Sequence, residues 1–196
     1  MLRKAHQTLP HLDFEEADLT TYQPQPGADL LFSNAVFHWL RQHERIPTIL
    51  RLLQSQKSGA AFAFQIPDNH DEPSHRAMRE TILAGPWREY FDGLKDRPDL
   101  DPIESPATFY NALRPYCSKV DIWHTLYQHV LSSPHDIVEW VKGTGLQPFV
   151  NALPEGHLRE GYLKAYEARL AELYPKLADG KVMLRYPRLF VVAVRE

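Results

Sequence analysis

Two short apolar runs that each end in polar residues, with a helix-forming stretch between them, limit what this chain can fold into. Residues 29–36 (Asp-Leu-Leu-Phe-Ser-Asn-Ala-Val) open on a near-continuous apolar run and turn polar at Ser33-Asn34. Residues 60–66 (Ala-Ala-Phe-Ala-Phe-Gln-Ile) are closed by Pro67-Asp68-Asn69. Apolar runs without alternation mark strands buried on both faces, as in a parallel sheet. Between the two runs, Ile46, Ile49, Leu50 and Leu53 fall at helical spacing, Pro47 suits a first helical turn, and Gly59 stops the helix. Strand, helix and strand in that order form one right-handed crossover unit, so the fold class is α/β.

On either side the pattern changes. Residues 12–19 (Leu-Asp-Phe-Glu-Glu-Ala-Asp-Leu) read as a short strand, followed by a polar connection over 20–28. Beyond the crossover, 73–83 predicts a helix, and Ser105-Pro106 opens another that turns Phe109 and Leu113 inward. Residues 120–131 alternate enough to be a long strand. Ser133-Pro134-His135-Asp136 is a second capping signature, opening a helix with Ile137, Trp140 and Val141 inside and Gly143 at its end. The longest helix is expected over 154–174, with Leu158, Tyr162, Tyr166, Leu170 and Leu173 on one stripe. In the C-terminal segment, 182–195, Pro187 divides two apolar runs, and pairing with 120–131 gives an antiparallel hairpin at one sheet edge.

Composition narrows the function classes. The 196 residues are 43% hydrophobic and 24% charged, enough for one domain burying roughly 70% of its unfolded surface. The longest apolar run, 189–194, is far short of the roughly 20 residues of a membrane helix, and the first residues lack a signal-peptide core, so a cytoplasmic protein is expected. A net charge of −3 with no run of Lys or Arg and a pI near 6.4 argue against a nucleic-acid partner. The single cysteine, Cys117, can form neither an internal disulfide nor a cysteine-based zinc site. His70-Asp71-Glu72 with His75 has metal-capable side chains, but Pro73 interrupts the spacing, and no metal is expected. Ser33 lacks the glycines of a nucleophile elbow, which removes a hydrolase reading.

In open parallel sheets ligands sit beyond the carboxyl ends of the strands. Three such ends are polar: Asp18, Ser33-Asn34, and Gln65 with Asp68-Asn69, while Phe37-His38-Trp39 follows the middle one. Residues 28–40, then Gln65-Ile-Pro-Asp-Asn69, Met78-Arg79-Glu80, Val120-Asp-Ile-Trp-His-Thr125, 140–146 (Trp-Val-Lys-Gly-Thr-Gly-Leu) and Pro187-Arg-Leu-Phe-Val-Val192 resemble the trans-aconitate 2-methyltransferase family. This is a family of class I S-adenosylmethionine-dependent methyltransferases, and the resemblance runs from about residue 12 to the C-terminus. It implies a Rossmann-like sheet with a helical substrate-side insert and a C-terminal antiparallel hairpin. One partial methyltransferase domain over 1–196 would then divide into a Rossmann-like part (1–68), helical segments (69–118 and 132–178) and terminal strands (119–131 and 181–196).

The same resemblance implies S-adenosylmethionine as cofactor, with Asp18 and Leu19 near its adenine and Ser33, Asn34 and Ala35 near its methionine part. His38 and Trp39 are the positioning candidates. The expected substrate is a small carboxylic acid, trans-aconitate or a similar one. A carboxylate is already ionised at pH 7 and needs no general base. A polycarboxylate does demand fixed cations, best supplied by bidentate arginine. Arg185, Arg188, His124, Tyr127, Tyr186 and Asn69 are the substrate-binding candidates, with Arg79, Arg88 and His70 as further ones. The family's glycine-rich turn and the acidic residue after its second strand are missing. The chain thus reads as a methyltransferase of about 250 residues without its first fifth. In the family's order the two missing strands separate 12–19 from 29–36 by about 14 Å. Their absence predicts an exposed sheet edge, self-association through it, and lowered solubility. A degenerate methyltransferase acting as a scaffold, and a methyltransferase for another acceptor, are the competing expectations.

Overall fold

The computed structural model describes residues 2–92, 94 and 99–196. After a short N-terminal helix, α1 (Leu2–Thr8), the crossover unit forms where its apolar runs predict: β1 (Leu30–Asn34), α2 (Gln42–Gln54) and β2 (Ala61–Pro67). β1 and β2 run parallel, in register from Leu30 with Ala61 to Asn34 with Gln65. The helix starts earlier than its proline suggests. The Glu44 carboxylate accepts from the Arg41 amide (3.3 Å) and caps the first turn, so Pro47 lies inside the helix.

α3 (Pro73–Ala84), α4 (Arg88–Asp92) and α5 (Pro106–Leu113) follow, then β3 (Cys117–Leu131), α6 (Pro134–Lys142), α7 (Gln147–Ala152), α8 (His157–Leu173) and β4 (Val182–Arg195). Both sequence-predicted caps form: Ser105 Oγ accepts from Thr108 N at 3.1 Å, and Ser133 Oγ from Asp136 N at 3.4 Å. Residues 93 and 95–98 of the expected helical segment 69–118 lie outside the described residues.

The sheet order is β1-β2-β4-β3, with β4 antiparallel to both neighbours. β4 runs unbroken through Pro187, which the sequence suggested would divide it. The Pro187 carbonyl accepts from Asp68 N (3.0 Å), just past the last β2 ladder pair of Pro67 with Arg188. In a strand, N–H and C=O of one residue point the same way, so the donor proline lacks is missing only where β2 has ended.

Two cores result. Phe62, Phe64 and Ile66 of β2 with Leu189, Val191 and Ala193 of β4 meet Ile49, Leu52 and Leu53 of α2 and Phe109 and Leu113 of α5 on one sheet face. A second core gathers α3, α6, α7 and α8 around Val182, Leu184 and Tyr186 at the start of β4. Among the described residues no helix is long and apolar enough to cross a membrane.

Residues 12–19 are not a strand. They carry four carboxylates in eight positions (Asp13, Glu15, Glu16, Asp18), and no strand among the described residues offers them a ladder, so extended backbone gains neither burial nor hydrogen bonds. Asp18 instead opens a turn, its Oδ1 accepting from Thr20 N (2.8 Å) and Thr20 Oγ1 (2.7 Å).

Candidate functional site

Parallel pairing of β1 and β2 brings both polar strand ends to one end of the sheet. Asn34 lies opposite Gln65, and the next pairs across β4 and β3 add Arg188, Tyr186, Tyr127 and His129. Asn34, Gln65, Tyr127, His129 and Arg188, with Trp140 and Phe190, line an open cleft of about 730 Å³. Its central group is Arg188. The guanidinium donates to Gln65 Oε1 at 2.8 Å and lies 5.1 Å from the Tyr186 ring centre and 6.0 Å from that of Tyr127. Among the described residues no carboxylate pairs with it. Beside it, buried Gln65 Nε2 has no partner among the described residues; Ser33 Oγ has none either, but Ser33 pairs with Phe64 and so faces the opposite side of the sheet. A cation with no carboxylate partner and an unsatisfied amide, at the end of the sheet where the parallel strands finish, suit an anionic polar ligand.

The chain then turns sharply. Ala35 takes a positive φ of 55°, and its amide donates to Gln65 O (2.8 Å). A non-glycine residue in the left-handed region stores strain that the surroundings must hold in place. The holding group is fully buried Arg45, which donates to Phe37 O, Leu40 O and Pro102 O at 3.0–3.1 Å and pairs with Glu104 at 2.5 Å. It fixes the 3-10 turn Phe37–Trp39. On that turn Trp39 is exposed and His38 is buried with an unpartnered Nδ1; burial first, then the Arg45 and Arg188 charges, lowers the imidazole to about 4.

The sequence-predicted residues separate into three groups. Ser33, Asn34, Ala35, Asn69, Tyr127, Tyr186 and Arg188 converge at this end of the sheet, with His38 and Trp39 on the adjoining turn. Arg185 and His124 are nearby but engaged, Arg185 with Glu72 (3.3 Å) and His124 with Asp68 (2.8 Å). Asp18 and Leu19 are held elsewhere: Arg51 of α2 donates to Leu19 O (2.8 Å) and to Tyr22 O. His129 and Trp140 were not singled out for a ligand-binding role, although the period of two in β3 places His129 on the same face as Tyr127. Trp140 had no such signal; at helical spacing it reads as a core residue, and only the docking of α6 brings its ring 4.5 Å from that of His129.

The trans-aconitate 2-methyltransferase of Rhodopseudomonas palustris (strain HaA2) is 48% identical over 195 residues, covering all of this chain and 74% of the relative. This chain belongs to the trans-aconitate 2-methyltransferase family. The enzyme of that name from Agrobacterium fabrum is 46% identical over 196 residues, again over all of this chain and 75% of its own length. Among solved structures, the YcgJ protein from Bacillus subtilis matches with a TM-score of 0.50 over 99% of this chain and 76% of that one, at 7% identity, a likeness of fold alone. No family model matches the chain.

Class I methyltransferases use S-adenosylmethionine, and the residues here fit one end of it. Gln65 Nε2, without a partner among the described residues, lies across from Asn34 and beside the bent Ala35, and these offer donors and acceptors to a charged amino-acid group. Its one Gly-x-Gly, Gly143-Thr144-Gly145, follows α6 and not a strand, so no residue of this chain is assigned to the phosphate-type turn of nucleotide-binding sheets.

Proposed function

We propose that this chain binds S-adenosylmethionine and methylates a carboxylate of trans-aconitate or a similar small polycarboxylic acid. The acceptor assignment is carried by Arg188, a cation with no carboxylate partner among the described residues, held by Gln65 and two tyrosine rings in the cleft that Asn34 also lines. When bound, S-adenosylmethionine supplies a methyl group on a positively charged sulfur; the carboxylate oxygen forms the O–CH3 bond with its own electron pair as the C–S pair returns to sulfur, leaving an ester and a neutral thioether.

The chain's own residues hold and align. Arg188 anchors a carboxylate that is not reacting, and Tyr127, Tyr186 and Asn69 add hydrogen-bonding groups. Arg185 and His124, each with its carboxylate partner, lie at the rim. Ser33, Asn34 and Ala35 take the methionine part; Asp18 and Leu19, tied to a turn and to α2 away from these residues, have only the family resemblance behind an adenine role. No base is required, because the nucleophile is already ionised and the sulfonium needs no proton. What remains is alignment within the turn of His38 and Trp39 and partial removal of water from both charges. The reading carries with it a cytoplasmic location and no nucleic-acid partner.

Transfer of labelled methyl from S-adenosylmethionine to trans-aconitate tests it. Base-labile labelled ester is expected from the parent chain, and Arg188→Gln should lower kcat/KM for the acid about a hundredfold. Absence of ester from the parent, or an Arg188→Gln variant as active as the parent, overturns the assignment.

A further inference from the structure

A second, smaller and more enclosed pocket is lined by His38, Asn69, His75, Met78, Arg79 and Phe149 among others. The two spaces adjoin. The Asn69 side chain is within hydrogen-bonding reach of the Tyr186 hydroxyl, and the Tyr186 ring carries Arg188. Arg79 reaches the cavity from α3. Its Nη2 donates to His70 O (2.8 Å), and among the described residues its nearest paired carboxylate, Asp71, is 4.0 Å away and almost fully exposed. Asp99, also lining the cavity, supports the guanidinium's charge against the cost of burial, whereas Asp101 is taken up by Arg41 and the Gln42 amide.

The histidines complete the lining. Burial lowers His38 to about 4 and His75 to about 3, so at neutral pH both are uncharged and each offers one N–H. His75 Nδ1 is 3.1 Å from Ser74 Oγ, while His38 Nδ1 has no partner among the described residues. The turn after α6 seals the cavity: a Cβ on Gly145 would lie 3.0 Å from His75 Nε2, so only glycine fits without displacing the ring.

A tricarboxylate has one carboxylate to react and two to hold, and Arg188 accounts for one of the two. We propose that the inner cavity is the second carboxylate subsite of the acceptor site, with Arg79 as its cation and His38 as its neutral N–H donor. The subsite rests on the reading of the outer cleft as the acceptor site. It makes Arg79 a specificity-determining residue, which separates tricarboxylates from dicarboxylates of the same frame. A site built to pair a buried anion discriminates strongly against a ligand that lacks it, because its own polar groups are then left unpaired.

Calorimetric titration of the chain with trans-aconitate and with methylfumarate, which keeps the dicarboxylate frame and has a methyl in place of the third carboxylate arm, tests the proposal. The parent chain should bind trans-aconitate about ten- to a hundredfold more tightly than methylfumarate. Arg79→Gln should remove most of that preference by weakening trans-aconitate alone, while Arg79→Lys keeps part of it. Retained methylfumarate binding shows that Arg79→Gln is folded. Parent binding of both ligands with a preference that Arg79→Gln leaves unchanged overturns the subsite and spares the outer cleft. Failure of the parent to bind either ligand overturns both.

Discussion

The two faces of the sheet are made of similar residues and have opposite fates. On the face under α2 and α5, Phe62, Phe64 and Ile66 are at most 2% exposed, and the charge nearest them, Arg45, spends its donors on three carbonyls and Glu104. On the other face, Leu30 is 53% and Phe32 71% exposed, Trp123 is open, and Arg188 donates to Gln65 and pairs with no carboxylate among the described residues. The covered face uses its polar groups for structure, and the open face leaves them free for a ligand. Alternation along β2 and its register with β1 and β4 decide which residue goes to which face.

The largest test of that contrast is a pair of truncations. Phe64 meets Phe37, Phe62 and Phe109 with ring centres 5.5–5.8 Å apart. Phe64→Ala should cost about 3–5 kcal/mol by urea denaturation, against under about 0.5 kcal/mol for Phe32→Ala. Equal losses would mean that the open face is covered in solution, and a concentration-dependent transition would identify another copy of the chain as the cover.

Next in size is pH. Unfolded histidine titrates near 6.5, whereas His38 and His75 are lowered in the fold to about 4 and about 3. Between those values the unfolded chain binds more protons. Their contribution is therefore fully present above about pH 6.5 and lost as pH falls toward 4, at about 1.4 kcal/mol per pH unit for each imidazole. Unfolding free energies from pH 7 to 4.5 should show this slope, and His75→Gln should roughly halve it. A flat profile would place both rings in water.

The smallest expected effect is the most diagnostic of a ligand site. Arg188 contributes its charge to no ion pair among the described residues and gives up one hydrogen bond to Gln65 and a ring contact, so Arg188→Gln should shift unfolding by only about 1–2 kcal/mol while it weakens acceptor binding. A loss of several kcal/mol would make Arg188 a structural residue and remove the contrast with Arg45.

Sequence determined the crossover unit, the terminal hairpin and the helix caps, because each depends on local signals: continuous apolar runs, alternation, and Ser-Pro openings. It also determined which residues stand at the ends of the two parallel strands, and so Ser33, Asn34 and Gln65, while Arg188 was a candidate only as a cation for a polycarboxylate. Tertiary structure decided the rest. Residues 12–19 have strand-like alternation, but a strand exists only if a neighbour supplies its hydrogen bonds. Pro187 interrupts a pattern in one dimension, yet sits harmlessly where β2 has already ended. Arg185 and Arg188 carry the same charge three positions apart in one strand, so the period of two sends them to opposite faces, but it does not say which of them meets a carboxylate. Glu72, 113 positions before Arg185, neutralises the first, whereas the second pairs with no carboxylate among the described residues. Charge on a side chain is written in the sequence, whereas its availability to a ligand depends on which distant groups the fold brings within reach.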